Sequence, residues 1–255
     1  MAVANSTSIS HDVAAALNLV VFALLLGVEP DPWQEDVLRS DSKRIILNCA
    51  RQSGKSTVTA ILALHHALYN NDALVLIVSP SLRQSSEMFK TIIRFYHDLG
   101  KPVPADKETA LTLQLTNKSR IVSLPSREGT VRGFSGVSLL VIDEAAHVPD
   151  DLYYAVRPML TVSQGRLILL STPHGRKGFF FEAWTKEKGW LKIKIGADQC
   201  PRLTPQVIEE ERASMPSWRF RQEYYNSFEA GAESLFSPDS IKRAFVDRPG
   251  RDLKF

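Results

Sequence analysis

A lysine flanked by glycine and two hydroxyl residues, with two adjacent carboxylates further along the chain, are the side chains here best suited to phosphate chemistry. The lysine lies in Ile45-Ile46-Leu47-Asn48-Cys49-Ala50-Arg51-Gln52-Ser53-Gly54-Lys55-Ser56-Thr57. An apolar run able to form a buried strand breaks at a small, polar loop, and an alanine- and leucine-rich helical pattern follows from Thr57 to Tyr69. Strand, loop and helix in that order describe a phosphate-binding loop. Its backbone N–H groups and those of the first helical turn can face an anion, which the helix dipole favours. Lys55 would reach the β- and γ-phosphates of ATP, and the Ser56 hydroxyl would take one Mg2+ position. Arg51, Gln52, Ser53, Gly54 and Thr57 complete the expected nucleotide-binding set. The usual pattern G-x-x-x-x-G-K-[ST] opens on glycine, and here Cys49 stands in that place. Gly-Lys-Ser/Thr arises by composition in roughly one chain of this length in eight, so the loop needs a second feature beside it.

The carboxylates provide that feature. Leu139-Leu140-Val141-Ile142 is a four-residue apolar run ending in Asp143-Glu144-Ala145-Ala146. Asp143 at a strand end can hold Mg2+ opposite Ser56, directly or through water. Glu144 faces another direction and can polarise an attacking water. Favourable acids at a helix N-terminus would be the plainer reading of this pair. Both motifs in one chain, in this order and each at a strand end, reduce coincidence to about one chain in several hundred. Ser171-Thr172-Pro173 follows another apolar run, so its hydroxyls would share that edge and could sense the γ-phosphate; a simple turn is the alternative. Phosphoryl transfer also needs positive charge near the transferring group, and Arg51 and Arg132 are the candidates. Trp33-Gln34, just ahead of the loop's strand, could hold and read an adenine ring, against the alternative of a surface glutamine beside a packing tryptophan.

The elements that would position these residues follow from the apolar pattern. Val13 to Leu26 reads as a buried N-terminal helix, too short for a membrane span. Asp31-Pro32 reads as an N-cap followed by proline at the first helical position. Ala73 to Pro80 is a continuous apolar run, as in a strand covered on both faces. Leu82 to Asp98 is an amphipathic helix, and 111–115 with 120–124 form a hairpin. Helices are expected over Asp150 to Met159 and Phe179 to Lys186, strands over Leu167 to Leu170 and Trp190 to Ile195. From Pro205 onward the pattern is polar and helical, a small appendage. Strands alternating with helices argue for an α/β fold with a doubly wound, mainly parallel sheet.

Composition agrees. The 255 residues are 44% hydrophobic and 23% charged, the mix of a globular protein, and a net charge of +3 permits a nucleic-acid partner without arguing for one. Two cysteines give no disulfide framework, and six histidines show no metal-ligand spacing; His65-His66 reads as surface or packing.

Taken together these motifs resemble the N-terminal ATPase domain of the large terminase subunits of tailed double-stranded DNA bacteriophages. Trp33-Gln34 resembles the adenine motif, and Cys49 to Ser56 resembles a variant Walker A in which the first glycine is often lost. Val131-Arg132-Gly133 precedes a Walker B with Asp143-Glu144-Ala145-Ala146, Ser171-Thr172-Pro173 resembles the coupling motif, and Phe220 to Phe236 resembles the exit from the domain. The resemblance implies a P-loop NTPase of the additional-strand, catalytic-glutamate class with a small C-terminal helical subdomain. The expected division is 1–30 as an N-terminal extension, 31–200 as the ATPase core and 201–255 as a helical lid or linker. Also implied are ATP and Mg2+, catalysis by Lys55, Glu144 and either Arg132 acting on a neighbouring subunit or Arg51, and coupling through Ser171 and Thr172. Partners implied are double-stranded DNA, further copies in a ring commonly of five on the portal, the portal protein and the small terminase subunit, in the host cytoplasm and with no membrane. Family members carry an RNase H-like nuclease domain after the ATPase; this chain ends at Phe255 without a later acidic cluster, so no DNA cleavage is expected of it. Arg83, Lys90, Arg94, Arg127, Lys186 and Lys188 are candidates for DNA phosphate contacts. A helicase-like translocase and a non-hydrolysing nucleotide-binding subunit are the rival readings; the first lacks room for a second motor domain, and the second has no use for Glu144.

Overall fold

Apolar runs of five or six residues with polar residues only at their ends can be buried on both faces of a sheet. They form β1 (Arg44–Cys49), β2 (Leu74–Ser79), β6 (Leu139–Asp143) and β7 (Arg166–Ser171). The computed structural model describes residues 12–126 and 133–229. With β3 (Ala105–Glu108), β4 (Thr112–Leu115), β5 (Arg120–Pro125) and β8 (Leu191–Ile195), these strands make one eight-stranded sheet in the order β3-β4-β5-β2-β6-β7-β1-β8. From β5 to β8 every neighbouring pair is parallel, while β3 and β4 add an antiparallel edge. Strand β7 lies between β1 and β6, which is the additional strand expected between the lysine loop and the carboxylates. The registers Asn48↔Ser171 and Asp143↔Leu170 bring the ends of these three strands to one edge of the sheet.

Alternate residues of the parallel strands feed two apolar layers, as a side-chain period of two requires. Ile45, Leu47, Val75, Ile77, Val141, Ile168 and Leu170 face one layer, and Ile46, Leu76, Val78, Leu140, Ile142, Leu167 and Leu169 face the other. The first is covered by α1 (Leu19–Leu25), α2 (Pro32–Arg39), α3 (Lys55–Tyr69) and α4 (Leu82–Asp98), the second by α5 (Asp150–Val156) and α6 (Gly178–Thr185). Two more helices, α7 (Pro205–Ser214) and α8 (Ser217–Tyr225), follow β8.

Several elements differ from expectation for local reasons. The apolar N-terminal helix is divided at Asn18, whose side-chain oxygen accepts from Val20 N at 2.9 Å and so starts α1 afresh. It is also only partly buried: Phe22 packs edge-on to His65 and Tyr69, while Leu17, Leu24 and Leu25 are exposed. The helix expected over Asp150 to Met159 is α-helical only to Val156 and continues as a 3-10 turn, Arg157–Leu160, where Pro158 has no N–H to give. Strand β3 is polar and mostly exposed, so it carries no apolar alternation to announce it. The C-terminal helices are not alike. Helix α7 buries no residue, whereas α8 inserts Phe220 and Tyr224 into a third cluster with Ala50, Ala197, Cys200 and Leu203, joining it to the phosphate loop. Among the described residues no helix is long and apolar enough to cross a membrane.

Candidate active site

The loop after β1 explains how Cys49 can replace a glycine. Cys49 is still within the strand, paired with Ile195, so its position requires no left-handed backbone. Burial pushes its thiol pKa up to about 12, making it an inert packing group. The left-handed residues are Gln52 (φ 58°) and Gly54 (φ 90°). Glycine suits the φ at Gly54, which a residue with a Cβ rarely adopts, and an added Cβ would also displace the Gln34 amide, approaching Nε2 to 2.5 Å.

Lys55 opens α3 and is buried; its Nζ lies 3.5 Å from Glu144 Oε1. Ser56 and Thr57 follow in the first turn, both half-buried. Across the additional strand, Asp143 ends β6 and is 6% exposed. Its carboxylate accepts from Glu144 N at 3.0 Å, and its pKa is raised to about 7, first by burial and then by the charge of Glu144, with Lys55 opposing. A buried carboxylate so short of compensating positive charge fits a divalent cation. Among the described residues no three His, Cys, Asp or Glu side chains form a metal site by themselves. Mg2+ would need only one or two protein oxygens, with water and phosphate oxygens filling its shell.

Glu144 sits at φ 46°, ψ 46°, a left-handed conformation uncommon for a residue with a Cβ. The reversal separates its side chain from that of Asp143. One of its oxygens faces Lys55, and the other accepts from the Ser171 hydroxyl at 3.3 Å. Glu144 therefore joins the phosphate-loop lysine to the end of β7. Thr172 is buried next to Ser171. His147 and His174, after β6 and β7, lie with ring centroids 4.3 Å apart and planes tilted by 32°.

The remaining candidates are dispersed differently. Arg51 forms a two-point ion pair with Glu223 of α8, Nε to Oε2 at 2.6 Å and Nη2 to Oε1 at 3.4 Å, and Arg51 N donates to Glu223 O. Glu223 holds the guanidinium more firmly in its charged state. Arg132 lies outside the described residues, as do Arg127 and Phe236. Trp33 is packed into the apolar core at 7% exposure, as a packing tryptophan would be. Gln34 is not a surface residue either. Its side chain accepts from Asp31 N at 2.9 Å and donates to Gly54 O at 3.3 Å.

Three site neighbours had gone unassigned in the sequence. Arg202 bonds Asp31 and the Ser53 carbonyl, Glu223 holds Arg51, and Asn226 exchanges side-chain-to-carbonyl bonds with Asn48. Only Asn226 carried a local signal, as an asparagine able to adopt the left-handed cap after a helix, and it does so at φ 55°.

Comparisons with known proteins follow the same outline. The terminase large subunit of Thermus virus P23-45 is 27% identical over 256 residues, covering 85% of this chain and 52% of that protein. The chain thus spans about half the length of this curated relative. The large terminase ATPase domain of Thermus phage P74-26 superposes with a TM-score of 0.74 at 22% identity, covering 81% of this chain and 97% of that one. A large terminase from another thermophilic bacteriophage, solved in complex with ATP-gamma-S, has a TM-score of 0.61 at 15% identity, covering 80% of this chain and 51% of that one. At such identities the structures establish a shared P-loop NTPase fold. The family model described as "Terminase large subunit, T4likevirus-type, N-terminal" matches residues 46–243, a span holding Lys55, Asp143, Glu144, Ser171 and Glu223 alike, and the chain therefore belongs to that family.

Proposed function

We propose that this chain hydrolyses ATP between the loop at Lys55 and the carboxylates at the end of β6, and that hydrolysis drives double-stranded viral DNA into a procapsid. The observation that carries this reading is the bridge made by Glu144, which touches Lys55 on one side and Ser171 on the other. The phosphate loop supplies N–H groups and the Lys55 ammonium to the triphosphate. Asp143 and Ser56 are the residues to hold Mg2+, which when bound would offset charge on the phosphate oxygens. Lys55 exchanges its contact with Glu144 for the phosphates, leaving the Glu144 carboxylate to orient a water and accept its proton. Ser171 feels that exchange through its hydroxyl, and Thr172 beside it carries the change into the loop after β7. Arg132, from a neighbouring copy in a ring on the portal, supplies positive charge to the transferring phosphoryl group. The portal protein and a small terminase subunit complete the assembly. Family membership and the ATP-gamma-S complex of the thermophilic bacteriophage's large terminase support the reading.

Steady-state phosphate release from ATP tests it. Wild type turns over and Lys55→Ala does not. Turnover retained in Lys55→Ala would put hydrolysis at another site, and none in wild type across a wide concentration range would exclude a motor.

A further inference from the structure

Three successive carbonyl groups of the phosphate loop are held from outside. Cys200 Sγ lies 3.7 Å from Gln52 O, Arg202 Nη2 lies 2.5 Å from Ser53 O, and Gln34 Nε2 lies 3.3 Å from Gly54 O. The three donors belong to two separate parts of the chain. Gln34 is on α2, and Cys200 and Arg202 lie on the segment between the 3-10 turn Ala197–Gln199 and α7. Asp31 unites them. Its carboxylate takes Arg202 in a two-point pair at 2.7 and 3.3 Å, and its backbone N–H is accepted by Gln34 Oε1.

In a planar trans peptide, a C=O and the N–H of the next residue point in opposite directions. Fixing Ser53 O and Gly54 O outward therefore turns the N–H groups of Gly54 and Lys55 the other way. These stand at the opening of α3, where the first N–H groups of a helix have no intrahelical acceptor and suit an anion. The ends of Gln34 and Arg202 lie against the outer side of Gly54, where an added Cβ would come within 2.5 Å of Gln34 Nε2 and 3.2 Å of Arg202 Nη2. A loop with left-handed residues at Gln52 and Gly54 would otherwise sample other shapes, and ordering it on binding would cost affinity.

We propose that Arg202 is a positioning residue of the nucleotide site: from the segment after β8 it holds the phosphate loop with its N–H groups turned toward the anion before the nucleotide arrives. Cys200 and Gln34 are its companions, and Asp31 keeps its guanidinium in place. The proposal rests on the nucleotide-binding reading above. Because the brace acts on the loop and not on the γ-phosphate, it serves diphosphate and triphosphate equally. Nη2 alone serves both Ser53 O and Asp31 Oδ2, while Nη1 reaches Asp31 Oδ1, so lysine in its place keeps one point of charge but loses the second nitrogen that fixes the guanidinium plane on Asp31.

Equilibrium dissociation constants for Mg-ADP and Mg-ATPγS, measured on wild type, Arg202→Ala, Arg202→Lys and Lys55→Ala, test this. Melting in the absence of nucleotide is recorded for each. Arg202→Ala should weaken both nucleotides by about tenfold, the loss of one charge-assisted contact, with Arg202→Lys between it and wild type. Nucleotide-free melting should stay within about 2 °C of wild type, because Arg202 is half-exposed and its loss leaves the core intact. Wild-type affinity in Arg202→Ala would overturn the brace, and so would a loss confined to ATPγS. A loss that lysine does not partly recover, with melting falling in step, would equally overturn it. Absence of binding by wild type, or full binding by Lys55→Ala, would instead refute the nucleotide site itself.

Discussion

Glu144 and Gly54 share a left-handed backbone, but for opposite reasons. Gly54 adopts that conformation readily because it has no Cβ, and the ends of Gln34 and Arg202 pack where a Cβ would stand. Glu144 bears the cost with a full side chain, and in return its carboxylate stands apart from Asp143, between Lys55 and Ser171. Strained conformations of this kind cost on the order of 1–3 kcal/mol and persist where the surroundings impose them. Gly54→Ala should accordingly lose about 1–3 kcal/mol of stability in a urea titration and bind nucleotide poorly; an unchanged midpoint would mean that the loop relaxes around the new methyl group. Ser171→Ala removes the hydroxyl that holds one oxygen of Glu144. Turnover should fall by about tenfold with little change in KM, since the lost contact orients the water-activating group and does not bind substrate. A rise in KM alone would assign Ser171 to ground-state binding.

At the level of elements, α3 carries the phosphate loop at one end and, near the other, the buried His65 and the half-buried His66. His66 Nε2 lies 2.9 Å from Ser138 Oγ, which donates onward to Leu74 O, and its pKa is lowered to about 4, first by burial and then by His65, Arg166 and Lys43. A histidine kept neutral in the folded chain binds its proton more readily once unfolded. Stability is therefore full above the ordinary value near 6.5 and is lost as the pH falls toward 4. The contribution is on the order of 2 kcal/mol. Between pH 7 and 4.5, wild type should lose more stability than His66→Gln in chemical denaturation, whereas parallel curves would mean that the imidazole is already charged in the fold. How much of this was legible in sequence depends on distance along the chain. The phosphate loop and Asp143-Glu144 are contiguous, and their strands are apolar runs, so both could be read directly. Arg202 meets Ser53 across 149 residues and Glu223 meets Arg51 across 172, and no local pattern marks such pairs. Asn18 was visible, but its power to divide an apolar helix depends on a side-chain bond to Val20 N that competes with the helix, which composition does not register.

On the scale of the molecule, the sheet gathers its functional ends at one edge, and α8 closes over that edge through Glu223 and the aromatic pair Phe220 and Tyr224. If Arg132 completes the site of a neighbouring copy, activity per chain should rise with protein concentration, and mixing Arg132→Ala with Lys55→Ala should restore turnover in mixed assemblies. Failure to rescue in assemblies shown to be mixed would move that role to Arg51 or to the same chain. Of the basic residues expected on DNA, Lys90 and Lys186 pair with Glu87 and Glu182 on their own helices, exposed contacts of little strength that a phosphate could displace. The central claim is that Glu144 activates water at a site assembled around the phosphate loop. Single-turnover hydrolysis by Glu144→Gln, measured beside its ATP affinity, tests it most directly. The account predicts binding within about threefold of wild type and hydrolysis slower by about 10²–10⁴-fold, the usual contribution of a positioned general base. Hydrolysis at the wild-type rate in Glu144→Gln would contradict it.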